Sequence, residues 1–124
     1  VILVDTSIWI DHLRAHNASL AQLLERGTVL SHPCVIGELA LGNLRQRHEV
    51  LGLLGSLPRA VTATPEEVLA LIERIPLHGL GIGFVDAQLL AATRLTSDAE
   101  VWTNDRRLGE VAARLGCAFD GLRR

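Results

Sequence analysis

The sequence predicts an α/β domain: a central, mostly parallel sheet with helices over both faces. Three observations predict it. Short apolar runs of strand length alternate with longer segments of helical period from end to end. At 48% hydrophobic residues and a mean hydropathy of +0.28, the chain has the material for a packed core. No internal repeat, low-complexity tract or linker interrupts its 124 residues, so one domain over 1–124 is expected.

The elements follow in order. Val1–Asp5 is an apolar run ending in a carboxylate, read as a strand. Thr6–Ala15 reads as a helix with Ile8, Trp9 and Leu13 apolar. Asn17–Arg26 is a second helix, with Asn17 as its cap and Gly27 beyond its end. Thr28–Ser31 is a short strand. Pro33–Leu44 is a helix with proline in its first turn, and Arg47–Leu57 is another, stopped before Pro58. Ala60–Thr64 is read as a strand. Thr64-Pro65-Glu66-Glu67 then opens a helix that ends near Arg74, with Glu67 placed to close a capping box. His78–Gly83 is a glycine-punctuated loop, read as a turn or as backbone able to approach a phosphate. Phe84–Thr96 is a largely apolar helix, Glu100–Thr103 a strand, Asp105–Leu115 a helix and Cys117–Phe119 a last strand.

Composition excludes several functions. All 12 bases are arginine. Without lysine, neither a phosphate-binding GxxxxGK[ST] loop nor a phosphoacceptor receiver domain can be built. The longest uncharged stretches, Gly27–Gly37 and Ile75–Val85, fall short of the roughly 20 residues of a membrane span. No charged leader precedes an apolar segment, so no signal peptide is expected. Cys34 and Cys117 form no CxxC pair, sit among apolar neighbours and read as small core residues. Together these features predict a cytoplasmic protein.

Four acids stand apart. In open parallel sheets, ligands bind outside the carboxyl ends of the strands. Asp5 follows the first strand, ahead of the hydroxyls Thr6 and Ser7, and Asp105 follows the strand at Glu100–Thr103. Glu38 is the only charge within Val35–Leu41. Asp86 shares a helix face with Leu89 and Leu90. Each acid taken alone also reads as a helix cap or a solvated side chain. Taken together they imply a cation. Two carboxylates about 4 Å apart repel by roughly 4 kcal/mol at an effective dielectric near 20. An all-oxygen donor set favours Mg²⁺, with Mn²⁺ as a substitute, over zinc. Phosphodiester hydrolysis is the chemistry such a site performs. A net charge of -2 does not exclude RNA: setting the four acids aside leaves ten against 12 arginines, a balance of +2. Arg106 and Arg107, directly after Asp105, are the candidates for phosphate contact, with Arg45 and Arg47 after the Glu38 helix. With only Trp9, Phe84, Trp102 and Phe119, no base-stacking platform is evident.

The same residues resemble those of PIN-domain ribonucleases, and among them the VapC toxins of toxin–antitoxin pairs. The resemblance rests on Val4-Asp5-Thr6-Ser7, on Glu38-Leu39, on Gly81 through Ala91, and on Val101-Trp102-Thr103-Asn104-Asp105-Arg106-Arg107-Leu108. It spans essentially the whole chain. It implies a PIN-like three-layer α/β/α sandwich. It also implies a Mg²⁺-binding catalytic set of Asp5, Glu38, Asp86 and Asp105, with Thr6 and Thr103 as supporting hydroxyls. The implied activity is endonucleolytic cleavage of RNA that inhibits translation. The implied partners are a cognate VapB antitoxin and a second copy in a homodimer. Some relatives carry a further acid near the last motif, where this chain has Asn104 and Arg107; one firmly held ion is expected.

Two rivals differ in class. A non-catalytic PIN-like module that binds RNA or protein would not need all four acids. An aspartyl-phosphate phosphatase would need a second acid at position 7, where the chain has Ser7, and a lysine.

Overall fold

A computed structural model describes residues 1–121; residues 122–124, the end of the expected domain, lie outside the described residues. Three strands form the sheet: β1 (Ile2–Val4), β2 (Val29–Leu30) and β3 (Glu100–Trp102). Seven helices surround it among the described residues: α1 (Thr6–Ala15), α2 (Ala18–Glu25), α3 (Pro33–Leu41), α4 (Arg47–Ser56), α5 (Pro65–Arg74), α6 (Phe84–Leu95) and α7 (Arg106–Arg114). The strand order is β2-β1-β3 and both pairings are parallel, Leu3 lying between Leu30 and Val101. The central strand is buried on both sides, which is why Ile2-Leu3-Val4 is apolar throughout rather than alternating.

Two expected strands are corrected. Ala60–Thr64 and Cys117–Phe119 do not form strands; each reaches the sheet through one bridge, Ser31 with Arg59 and Val101 with Ala118. Ser31 N–H donates to Pro58 O and Ala60 N–H to Ser31 O, but the next amide, Val61 N–H, turns to Thr96 Oγ1 at 2.8 Å and draws the chain off the sheet edge. At the other edge, Cys117 and Phe119 bracket Val101 with bonds of 2.8 and 2.9 Å, and the pairing stops there. Helix α3 is also shorter than expected. It ends at Leu41, where Gly42 turns extended and the Arg47 guanidinium donates to Ala40 O at 2.6 Å. Helix α5 starts as read: Thr64 Oγ1 accepts from Glu67 N–H, and Glu67 Oε1 accepts from Thr64 N–H.

The core has two apolar clusters. One joins β1, β2 and α1–α4; the other joins α5, α7 and Val101 of β3. Helix α6 belongs to both, giving Leu89 and Ala92 to the first and Ala87, Leu90 and Ala91 to the second. That double duty explains a helix apolar nearly all round. The chain begins at the middle strand, passes outward to β2, and returns to the opposite side at β3. The strand order therefore reverses between β1 and β3, and a crevice is expected beyond their carboxyl ends.

Candidate active site

Asp5 and the Thr103–Asp105 turn leave β1 and β3 side by side, because Asp5 N–H donates to Trp102 O at 2.9 Å. Asp5 is 7% exposed, and its charge is held by donors rather than by a base. Its Oδ1 accepts from Thr6 N–H at 2.7 Å. Its Oδ2 accepts from Thr103 Oγ1 at 2.7 Å and from Ser7 Oγ at 3.0 Å. Each hydroxyl spends its one proton on Asp5 and accepts in return. Asn104 N–H donates to Ser7 Oγ and Asp105 N–H to Thr103 Oγ1. The turn after β3 is thus tied to the turn after β1 through two hydroxyls.

The other three acids come from three helices. Asp105 caps α7, its Oδ1 accepting from Leu108 N–H at 3.0 Å. Asp86, in the first turn of α6, accepts from Gly83 N–H through Oδ2 at 3.2 Å. Glu38 on α3 is exposed, and its Oε1 accepts from Thr6 Oγ1 at 2.6 Å. Capping, the plain reading of a lone acid after a strand, accounts for one oxygen of Asp105 and one of Asp86. It leaves Asp105 Oδ2, Asp86 Oδ1 and Glu38 Oε2 without a hydrogen-bond donor among the described residues. On Asp5, Oδ2 has both lone pairs used and Oδ1 keeps one open.

The Asp86 carboxyl senses the other three. The Asp86 carboxyl is pushed above its ordinary range first by burial, then by the negative charges of Asp105, Asp5 and Glu38, against a lowering by the Gly83 N–H. Among the described residues no arginine forms an ion pair with any of the four; Arg106 pairs with Glu110 instead, at 3.6 Å. Four coupled acids with open oxygens and no counter-charge fit a hard divalent cation. No three His, Cys, Asp or Glu side chains among the described residues are gathered closely enough to enclose an ion as they stand.

Nothing here suggests a thiol nucleophile. Cys34 and Cys117 are free; burial pushes both thiols up, and Cys34 Sγ donates to Gln88 Oε1. Sequence reasoning gave no role to Ser7, Asn104 or Asp11, whose Oδ2 accepts from Asn104 Nδ2 at 2.6 Å. The hydroxyl of Ser7, two residues after an acid that ends a strand, was the available signal; Asp11 offered none. Sequence reasoning likewise gave no partner to Gly81. A Cβ built there would lie 2.5 Å from Arg107 Nη1, so the Arg107 side chain crosses directly over that glycine.

A family model described as the PIN domain matches residues 2–114. The chain is also similar to ribonuclease VapC32 of Mycobacterium tuberculosis, in strains CDC 1551 / Oshkosh and ATCC 25618 / H37Rv. The identity is 48% over 119 residues, covering 96% of this chain and 96% of each relative. The family-model match spans the positions of all four acids. The order of elements, the reversal of strand order beside Asp5 and Asp105, and these comparisons agree: the chain belongs to the PIN-domain family, in its VapC branch.

Proposed function

We propose that the protein is a divalent-metal-dependent endoribonuclease and the toxin of a toxin–antitoxin pair. The observation that carries this reading is geometric: Asp5 and the Asp105 turn leave neighbouring strands side by side, Thr6 links Glu38 to Asp5, and no arginine among the described residues pairs with any of the four acids. Asp5, Glu38, Asp86 and Asp105 would hold the cation, Mg²⁺ in the first instance and Mn²⁺ as a substitute. A bound cation supplies Lewis-acid charge and a more acidic water for attack on a phosphodiester. The chain's own residues supply the rest. Thr103 and Ser7 fix Asp5 so that its free lone pair lies on Oδ1. Thr6 steers Glu38 while its backbone N–H binds Asp5, so one residue orients two acids. The amides of Gly83 and Leu108 orient Asp86 and Asp105. No protein nucleophile is required.

The relatives' printed name supports an RNA substrate; the resemblance to VapC toxins adds, as further parts of this proposal, a VapB antitoxin that covers the site, inhibition of translation through RNA cleavage, and a homodimer acting in the cytoplasm. The test is cleavage of a mixed single-stranded and structured RNA pool by purified protein. Cuts at defined positions with Mg²⁺, none with excess chelator, and none from Asp86→Asn are expected. An Asp86→Asn protein that cuts at the parent rate overturns the assignment. Sedimentation of the protein alone and with its antitoxin reads the two assemblies directly.

A further inference from the structure

Two adjacent arginines open α7, and the structure separates them. Arg106 turns along the helix surface to Glu110, with Nε 3.6 Å from Oε1. Arg107 turns the other way, over the loop that feeds α6. A Cβ on Gly81 would stand 2.5 Å from its Nη1, 2.7 Å from its Cδ and 3.0 Å from its Cζ. Stem and guanidinium therefore occupy the space a Cβ at position 81 would take, and the Gly81 φ of +80° is itself glycine's. This contact ties the first turn of α7, capped by Asp105, to the segment that ends in Gly83 and orients Asp86.

The charge of Arg107 is unspent. It is exposed and has no ion pair among the described residues. A planar, five-donor cation two residues after the Asp105 cap is thus held against Gly81, beside the segment whose Gly83 N–H orients Asp86, with the fork that binds a phosphate in bidentate fashion.

We propose that Arg107, seated on Gly81, grips a backbone phosphate of single-stranded RNA next to the acids, and that Arg106 does not. Resting on the ribonuclease reading, this makes Arg107 a positioning residue for the substrate. Side-chain size at position 81 sets where it stands.

The test is binding of a fluorescent random-sequence single-stranded RNA by anisotropy, in chelator, across a salt series. The proteins compared are the parent, Arg107→Gln, Arg106→Gln, Gly81→Asn, and Gly81→Asn with Arg107→Gln. Asparagine tolerates a left-handed backbone but carries a Cβ. One lost phosphate contact lowers the slope of log K against log salt by about 0.7 for a single strand. That loss is expected in Arg107→Gln and not in Arg106→Gln. Gly81→Asn is expected to reproduce it and to add nothing when Arg107 is already gone. Full binding and an unchanged slope in Arg107→Gln, or an equal loss in Arg106→Gln, overturns the inference. The two glutamine variants are exposed helix substitutions, so the test stands even if Gly81→Asn fails to fold. The two readings fail separately. An Arg107→Gln protein that binds and cuts like the parent removes only this inference; a parent that neither binds nor cuts removes both.

Discussion

Asp5 shows how much one residue asks of its neighbours. A carboxylate that is 7% exposed accepts three hydrogen bonds, two from hydroxyls and one from an amide. Losing one donor to a buried charged group costs about 1.5–3 kcal/mol. Thr103→Val, nearly isosteric, is expected to cost that much in urea unfolding and to lower cleavage further than the stability loss explains, because Asp105 N–H loses its acceptor too. Asp86 behaves in the opposite sense. Its charge is opposed by burial and by three acids, so Asp86→Asn is expected to raise the melting temperature of metal-free protein while abolishing cleavage. An amide oxygen there can still accept from Gly83 N–H, which keeps the helix start. At this scale the four acids were legible, since each stands where a strand or an apolar face makes a charge conspicuous. The Arg107–Gly81 contact was not, because its partners are far apart in sequence and share no period.

Helix α3 carries Glu38, and a histidine starts it. His32 Nδ1 accepts from Cys34 N–H at 3.0 Å, which requires Nδ1 to be unprotonated and places the ring proton on Nε2. His32 is buried, and Nε2 has no partner among the described residues. Burial and then the nearby Arg59 charge lower its pKa below the ordinary value of 6.5. Between that ordinary value and the lowered one, the unfolded chain binds more protons than the folded one. His32 therefore contributes stability above about pH 6.5 that is lost as pH falls through the folded value. His32→Asn caps without titrating. The drop in urea midpoint between pH 7.5 and 5.5 is expected to shrink in His32→Asn. His12, lowered by burial and by His16, contributes equally to both proteins. Element identity was mostly legible: prolines at the starts of α3 and α5 and the Thr64 box mark their own helices. The two missing strands were not, because apolar residues beside a sheet edge look alike whether they make one bridge or four.

For the whole molecule, the site sits where the sheet reverses, so repulsion among the acids acts on the packing of α3, α6 and α7 around β1 and β3. Mg²⁺ is expected to raise the melting temperature by mass action, by about 2.7 kcal/mol of stability at a hundredfold excess over Kd. Asp86→Asn is expected to blunt that shift, and calorimetry with and without chelator reads both. Leu3, fully buried in the central strand, is expected to cost about 2–5 kcal/mol as Leu3→Ala. Leu41, 90% exposed at the end of α3, is expected to change stability by less than about 0.5 kcal/mol as Leu41→Ala.

The sequence by itself determined the fold class and the helix starts, and it singled out four acids as candidates. These are written in short-range patterns: apolar period, capping residues, and a charge set within an apolar run. Only the tertiary structure decided how wide the sheet is, which oxygen of each acid is already hydrogen-bonded, and which of two neighbouring arginines has no ion pair among the described residues. Those outcomes depend on contacts such as Thr103 with Asp5 and Arg107 with Gly81. Their partners are brought together by β3 folding back beside β1, and no local pattern encodes that approach.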